Sequence, residues 1–151
     1  MSGSSRAAHD WSASLTAPTR FTVDLRWRDL DVMGHVWSGR YHEFLDESRA
    51  AVFAPITGPL GFPFVLARVE MDHRRELVRA DGHVVVESAI LAMGRSSVVV
   101  GHRIRRPDDE IAAEGASTMV AFDLERRVAR PIADDERRLL LSGAARADVA
   151  G

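Results

Sequence analysis

The stretch Arg26–Ala50, RWRDLDVMGHVWSGRYHEFLDESRA, changes its hydrophobic pattern half-way along. Its first half contains Asp29, Asp31 and Gly34 in the spacing D-x-D-x-x-G. Its second half has apolar residues three and four positions apart, which is the spacing of one face of an α-helix. A pair of acids directly before a helix indicates a turn, a metal-binding loop or the beginning of an active site.

The elements on either side of the acids are a strand and a helix. Residues 20–27, RFTVDLRW, alternate apolar and polar side chains, as a half-buried β-strand does. The helix is predicted to have Ser38 as its N-cap and to end before Pro55. Asp31 therefore lies in a loop that leads into the helix N-terminus. The apolar face of the helix is predicted to contain Tyr41, Phe44, Leu45, Ser48, Val52 and Phe53.

Four further strands follow the helix. The runs FVLARVEMDHRREL, HVVVESAILAM, SSVVVGHRIRR and IAAEGASTMVAFDL are strand-like and are separated by turn-forming residues. Long strands joined by short turns favour an antiparallel meander, and the single long helix is expected to cover one face of it. The sequence thus predicts an α+β fold, with a short second helix after Pro131.

Length and composition indicate one domain. The chain has 151 residues, of which 46% are apolar and 28% are charged. We predict tails at residues 1–18 and 143–151 and a single domain over residues 19–142. No apolar run approaches the ~20 residues that cross a bilayer, and the N-terminal stretch lacks the apolar centre of a signal peptide, so a cytoplasmic protein without a membrane partner is expected. The net charge of −2 provides no general attraction to nucleic acid.

The residue inventory excludes several kinds of site. The chain has no cysteine, and all 20 of its Lys and Arg residues are arginine, so neither thiolate nor lysine Schiff-base chemistry is available. A calcium loop that begins at Asp29 would need oxygen ligands at Met33 and Arg40 and is rejected. No metal is predicted. A zinc site is also rejected, because the helix start separates its candidate ligands: Asp31, His35, His42 and Asp46.

Asp31 is the strongest candidate for a catalytic group. The first amides of the following helix have no intrahelical acceptor and carry a partial positive charge. A carbonyl oxygen held against the backbone N–H groups of Ser38 and Gly39 would be polarised, as in an oxyanion hole. Asp31 could then attack that carbonyl or activate a water molecule. The residues alone support equally well an Asp31 that only stabilises a turn.

At these residues the chain resembles hotdog-fold thioesterases of the 4-hydroxybenzoyl-CoA thioesterase type. Their signature runs approximately D-x-D-x-x-G-(H/I)-V, and continues with a tyrosine and then a helical acid followed by (A/S)-R. The segments ARVEMDHRREL, MGRSSVVV and VAFDLERRVARPI are similar to three further strands of the family, so the resemblance covers about residues 19–140. The residues that match the signature are Asp29, Asp31, Gly34, His35, Val36, Tyr41, Glu47, Ser48 and Arg49.

The resemblance implies a long central helix wrapped by a curved antiparallel sheet, in an enzyme that hydrolyses an acyl-CoA or acyl-carrier-protein thioester. Asp31 would be the nucleophile or general base, the backbone N–H groups of Ser38 and Gly39 would bind the oxyanion, and His35 would orient the loop. The resemblance also implies homodimers, joined into homotetramers, and no cofactor beyond the coenzyme A of the substrate. Substrate contacts are expected from Trp37, Tyr41, Arg95 and Ser96.

Two residues depart from the family pattern. Trp37 stands where many members have asparagine, and Glu76 stands where the corresponding strand usually has proline. The acyl group is therefore left open, as is the choice between CoA and carrier protein. Two alternative functions are a non-hydrolytic module that binds acyl-CoA or acyl-carrier protein, and a hotdog dehydratase or hydratase that uses His35. Glu43 or Glu47 is a candidate for a second catalytic acid.

Overall fold

The computed structural model describes residues 10–59 and 61–143. Its long helix, α1, spans Ser38–Phe53, and a second helix, α2, spans Asp134–Ser142. Both helices and the five predicted strands are present. The strands are β1 Thr19–Asp24, β2 Phe64–His73, β3 His83–Met93, β4 Ser97–Arg105, β5 Ile111–Asp123 and the short β6 Val128–Ala129.

The strands form an antiparallel sheet in the order β1–β3–β4–β5–β2, and β6 pairs with the end of β5. The predicted meander is correct for β3, β4 and β5 but wrong for β2, which pairs with β5, from Phe64↔Ala121 to His73↔Ala113. The connection over residues 74–82, here called the crossover segment, makes this possible. Its nine residues reach up to about 30 Å, and crossing three strand spacings needs only about 15 Å.

Helix α1 is fixed by its apolar face, which packs against the curved sheet. Phe44, Leu45, Val52 and Phe53 have no solvent exposure. Phe44 packs among residues of β3 and β4, and Phe53 packs in a second cluster nearer the C-terminal end of α1. Burying an apolar side chain of this size stabilises a fold by about 1.5–3 kcal/mol. The predicted α+β architecture, with a central helix covered by an antiparallel sheet, is confirmed.

A buried polar network lies between α1 and the sheet, around His102 of β4. Its Nδ1 lies 2.9 Å from the hydroxyl oxygens of Ser48 on α1 and Ser88 on β3. Its Nε2 lies 2.8 Å from the hydroxyl oxygen of Ser117 on β5, which also accepts a hydrogen bond from Arg49. Burial, with a smaller contribution from the Arg49 guanidinium, lowers the pKa of His102 from 6.5 to about 3. The imidazole is therefore neutral in the folded protein.

The predicted tails fall partly outside the described residues, because residues 1–9 and 144–151 are not among them. Residues 10–18 contact the sheet: Leu15 N–H donates a hydrogen bond to the carbonyl oxygen of Ile90 at 2.8 Å. The boundary of the domain at residue 19 stays a prediction. Neither helix of the described chain is long and apolar enough to cross a membrane.

Candidate active site

The loop over residues 30–36, here called the Asp31 loop, is a tight turn closed by backbone hydrogen bonds. Asp31 N–H donates to the carbonyl oxygen of His35 at 2.7 Å, and Gly34 N–H donates to the carbonyl oxygen of Asp31 at 3.1 Å. Gly34 has a φ of +81°, a conformation that glycine adopts without strain. The glycine of the D-x-D-x-x-G spacing therefore makes the turn that returns the chain toward α1.

The first acid of that spacing has a structural role. Asp29 is buried, and its Oδ2 accepts a hydrogen bond from Arg26 N–H at 2.7 Å. Its Oδ1 lies 3.2 Å from Arg40 Nε, and its backbone carbonyl accepts a hydrogen bond from Trp37 N–H at 3.0 Å. Asp29 thus connects the residues after β1 with the start of α1.

The second acid, Asp31, keeps one carboxylate oxygen free. Its Oδ1 accepts hydrogen bonds from the backbone N–H groups of Met33 at 2.8 Å and His35 at 3.2 Å. No residue in the described part of the chain makes a hydrogen bond to its Oδ2. The two interpretations of Asp31 are therefore compatible, because one oxygen stabilises the turn while the other is available for chemistry.

The N-terminus of α1 has uncapped amides. The N-cap is Trp37 and not Ser38 as predicted, because the backbone stays extended through Trp37 (φ −72°, ψ 151°), whose N–H is held by Asp29. Trp37 makes no side-chain capping bond. Within the described residues, the N–H groups of Ser38 and Gly39 consequently have no hydrogen-bond acceptor. Amides in this position stabilise a negative charge placed against them.

A cavity of about 480 Å³ lies between the Asp31 loop, the start of α1 and the crossover segment. Asp31 and Ser38 both border it, so the acid with the free oxygen and the first residue of the helix share one space. The cavity is open to solvent at the protein surface, as a substrate site requires. The other residues that line it are His35, Val36, Tyr41, His73, Arg74, Arg75, Glu76 and Leu77.

Tyr41 forms a buried part of the cavity wall. Its ring contacts His73 edge-on, with ring centroids 4.6 Å apart. Burial and, next, the negative charge of Asp81 raise the pKa of Tyr41 to about 12. The hydroxyl therefore remains protonated at neutral pH and is available as a neutral polar group.

Four of the predicted site residues border this cavity: Asp31, His35, Ser38 and Tyr41. Trp37 lies on the other side of the helix start, where its indole packs directly over Gly39. Trp37 therefore does not border the cavity that contains Asp31. It borders a second, neighbouring cavity, and its predicted contact with substrate stays a prediction. That second cavity measures about 390 Å³ and is lined by Arg26, Arg28, Asp29, Trp37, Arg40 and Glu43.

Arg95 and Ser96 lie at the opposite end of the sheet from the cavity. They follow β3, whereas the cavity is next to residues that precede β3. The eleven residues of β3 span about 35 Å at 3.3 Å per residue. A single chain does not bring Arg95 and Ser96 to the Asp31 cavity, so their role in substrate binding stays a prediction.

The other predicted acids are engaged on the helix surface. Glu43 and Glu47 lie 2.6 and 3.9 Å from Arg40 Nη1, and neither borders the cavity that contains Asp31. The geometry gives the second-acid hypothesis no support. Among the described residues, no three His, Asp or Glu side chains are grouped in a way that could hold a metal ion.

His73, Glu76 and Leu77 are site residues that the sequence did not identify as such. They reach the Asp31 loop only because β2 pairs with β5 and the chain then crosses back. Val36 N–H donates to the carbonyl oxygen of Leu77 at 2.7 Å, and His35 Nε2 lies 2.8 Å from Glu76 Oε2. The charged run HRRE at the end of an apolar strand is the available sequence signal, and it does not reveal what it contacts.

Known proteins with similar sequences are thioesterases. The family model described as thioesterase superfamily (4HBT) matches residues 33–113, which is more than half of the chain. The long-chain acyl-CoA thioesterase FadM of Escherichia coli K12 is 26% identical over 124 residues, which cover 78% of this chain and 93% of FadM.

Solved structures agree with the sequence comparison. A thioesterase from Thermus thermophilus, complexed with coenzyme A and Zn, is 29% identical with a TM-score of 0.73, over 81% of this chain and 96% of that one. The 4-hydroxybenzoyl-CoA thioesterase from Pseudomonas sp. strain CBS-3 shares the fold, with a TM-score of 0.70 at 20% identity over 81% and 98% of the two chains. This protein therefore has the hotdog fold and belongs to the thioesterase superfamily.

Proposed function

We propose that this protein hydrolyses acyl-CoA thioesters to the free acid and CoA. The observation that supports it most directly is the cavity bordered by Asp31, with its free Oδ2, and by the uncapped start of α1. The names of the relatives support the substrate class. FadM is named a long-chain acyl-CoA thioesterase, and the similar T. thermophilus thioesterase was crystallised with coenzyme A.

The geometry suggests a place for the thioester carbonyl. Its oxygen would point at the amides of Ser38 and Gly39, which would stabilise the negative charge that develops on it. As a general base, Asp31 would take a proton from water while the water oxygen adds to the carbonyl carbon. The C–S bond would then break, and the CoA thiolate would take up the proton. As a nucleophile, Asp31 would add to the carbon itself, expel the thiolate and form an anhydride that water hydrolyses.

Asp31→Asn tests this function. Asparagine keeps an oxygen that can accept hydrogen bonds from the backbone N–H groups of Met33 and His35, but it is neither a base nor an effective nucleophile. We expect kcat for the best acyl-CoA of a chain-length panel to fall by at least ~100-fold, the usual contribution of a positioned proton-transfer group. Thiol release is followed with a chromogenic thiol reagent. Asp109→Asn, in the β4–β5 turn, is the control, and an Asp31→Asn variant as fast as wild type would refute the mechanism.

A non-hydrolytic acyl-CoA or acyl-carrier-protein binding module is the second candidate. It is favoured by the Trp37 indole, which packs over Gly39 and covers one side of the helix start. In that case acyl-CoA would raise the melting temperature without any release of thiol. A hydratase would instead add water to an enoyl-CoA, with His35 or His73 beside Asp31, and the same panel should include an enoyl-CoA for this reason.

We also infer a homodimer, with dimers paired into tetramers, located in the cytoplasm. Strand β2 lies at the edge of the sheet and exposes Val65 and Leu66. His73, at the end of β2, borders the Asp31 cavity, so a second copy at this edge would lie next to the site. The cytoplasmic location is an expectation from the proposed substrate, since CoA thioesters are intracellular metabolites.

A further inference from the structure

The Asp31 loop has one polar side-chain contact to the rest of the described chain. His35 Nε2 lies 2.8 Å from Glu76 Oε2, whereas the side-chain hydrogen bonds of Asp31 remain within the loop. Val32 and Met33 at the tip of the loop are exposed, so packing does not hold the tip in place. The orientation of Asp31 therefore depends on the His35–Glu76 pair, on the backbone bonds of the turn and on the backbone bond from Val36 N–H to Leu77.

Glu76 can serve as an anchor because the residues before it are fastened to β5. The backbone N–H groups of Arg74 and Arg75 both donate to one carbonyl oxygen of β5, at 2.7 and 3.0 Å. The side chain of Arg74 forms an ion pair with Glu114 at 2.6 Å, and that of Arg75 forms one with Glu110 at 3.1 Å. The crossover segment is thus held to the sheet on one side and to the Asp31 loop on the other.

We infer that Glu76 is a positioning residue for the proposed hydrolysis, acting on Asp31 through His35. Glu76 holds the His35 imidazole, and the backbone N–H of His35 holds Asp31 Oδ1 at 3.2 Å. Together, these two contacts set the direction of the free Oδ2 of Asp31 relative to the start of α1. The inference rests on the proposed function, because positioning affects the rate only where Asp31 does the chemistry.

Removal of Glu76 should lower kcat more than it changes KM. A displacement of about 1 Å in a reacting group can cost up to ~100-fold in rate, and a loosened loop samples such displacements only part of the time. We expect Glu76→Ala to reduce kcat about tenfold, with KM for the acyl-CoA within about twofold of wild type. Glu76→Gln should stay within about threefold of wild type, since its amide oxygen still accepts a hydrogen bond from His35.

The double variant and hydrogen exchange separate positioning from a general structural effect. His35→Ala should match Glu76→Ala, and the two changes together should cost no more than either alone. The amides of Met33 and His35, which Asp31 Oδ1 holds, should exchange faster in both variants. Arg20→Ala removes an exposed ion-pair partner of Glu87 on β1, outside the crossover segment, and leaves Glu87 its contact with Arg105, so it should leave kcat and loop exchange unchanged.

The inference is overturned if Glu76→Ala retains wild-type kcat and wild-type exchange in the loop, or if the losses from the two single variants multiply. A fully active Asp31→Asn would overturn the proposed function instead. Should the wild type hydrolyse no acyl-CoA, the exchange rates of the full chain still decide whether Glu76 holds the loop.

Discussion

At the scale of single residues, the Trp37 indole can occupy its position only because residue 39 is a glycine. A Cβ built on Gly39 would lie 1.8 Å from Cζ3 of the Trp37 indole, far closer than two carbons approach each other. Any side chain at position 39 must therefore displace the indole from the helix start. Glycine within a helix costs about 1 kcal/mol relative to alanine, so the chain keeps Gly39 in spite of a helical penalty.

A double-mutant cycle should reveal this dependence. We compare the change in the free energy of unfolding that Gly39→Ala causes in two backgrounds. This change should be about 1–2 kcal/mol more stabilising in a Trp37→Ala background than in wild type, because the steric conflict with the indole is absent there. Urea unfolding of wild type, both single variants and the double variant measures the difference. Effects that add within ~0.5 kcal/mol would mean that the indole does not rest on Gly39.

The position of Asp31, in a tight loop directly before α1, could be predicted from the sequence because its surroundings are local, whereas its catalytic role stays a prediction. The strand, the glycine turn and the helix start that determine them lie within about twenty consecutive residues. Glu76 and His73 could not be assigned in the same way, because their neighbours in the site are more than thirty positions away along the chain. The sequence predicts a substrate contact for Trp37, but the direction of its side chain depends on its packing over Gly39, which the sequence does not reveal.

At the scale of elements, His102 connects α1 to three strands and makes the fold sensitive to acid. Its pKa is about 3 in the folded protein and 6.5 in the unfolded chain, so between these values the unfolded state binds more protons. The contribution of His102 to the free energy of unfolding should therefore be fully present above pH 6.5 and be lost progressively as the pH drops toward 3. At 1.36 kcal/mol per pH unit, the loss at pH 5 amounts to about 2 kcal/mol.

His102→Gln isolates this effect from other titrating groups. We expect the free energy of unfolding of wild type, measured with urea, to decrease by about 2 kcal/mol between pH 7 and pH 5 more than that of the variant. The five other histidines are common to both proteins, so the difference reports His102 alone. Equal decreases in the two proteins would show that His102 is not held neutral by the network.

The hydrophobic pattern of the sequence predicts where the strands lie but not the order in which they pair. Period-two alternation and β-branched runs depend on each strand alone, and they located all five predicted strands. Pairing order depends on how far a connection can reach, and the turn-forming residues between β2 and β3 predict that these two strands pair as neighbours in a meander. Instead, residues 79–81 form a short 3-10 helix within a crossover that spans two intervening strands.

The edge of the sheet is the feature that matters at the scale of the whole molecule. Strand β2 pairs only with β5 among the described strands, and the other edge of a ten-residue strand presents backbone donors and acceptors. Natural proteins cover such edges or protect them with charge. Here the exposed side chains include apolar ones, so a second copy related by a two-fold axis is a suitable cover.

Leu66→Glu should separate these copies. Leu66 is 47% exposed in the single chain, so a glutamate there should leave the monomer fold intact but would bring an unpaired charge into a β2–β2 contact from each copy. Light scattering after size exclusion should give a multiple of 16.6 kDa, a dimer or tetramer, for wild type and a shift toward the monomer for the variant. Val128→Glu, at a similarly exposed apolar position on β6, should keep the wild-type mass.

Because His73 connects this edge to the Asp31 cavity, thiol release by the Leu66→Glu variant should fall together with its mass. A wild-type protein that elutes as a monomer and is nevertheless active would show that one chain forms the complete site.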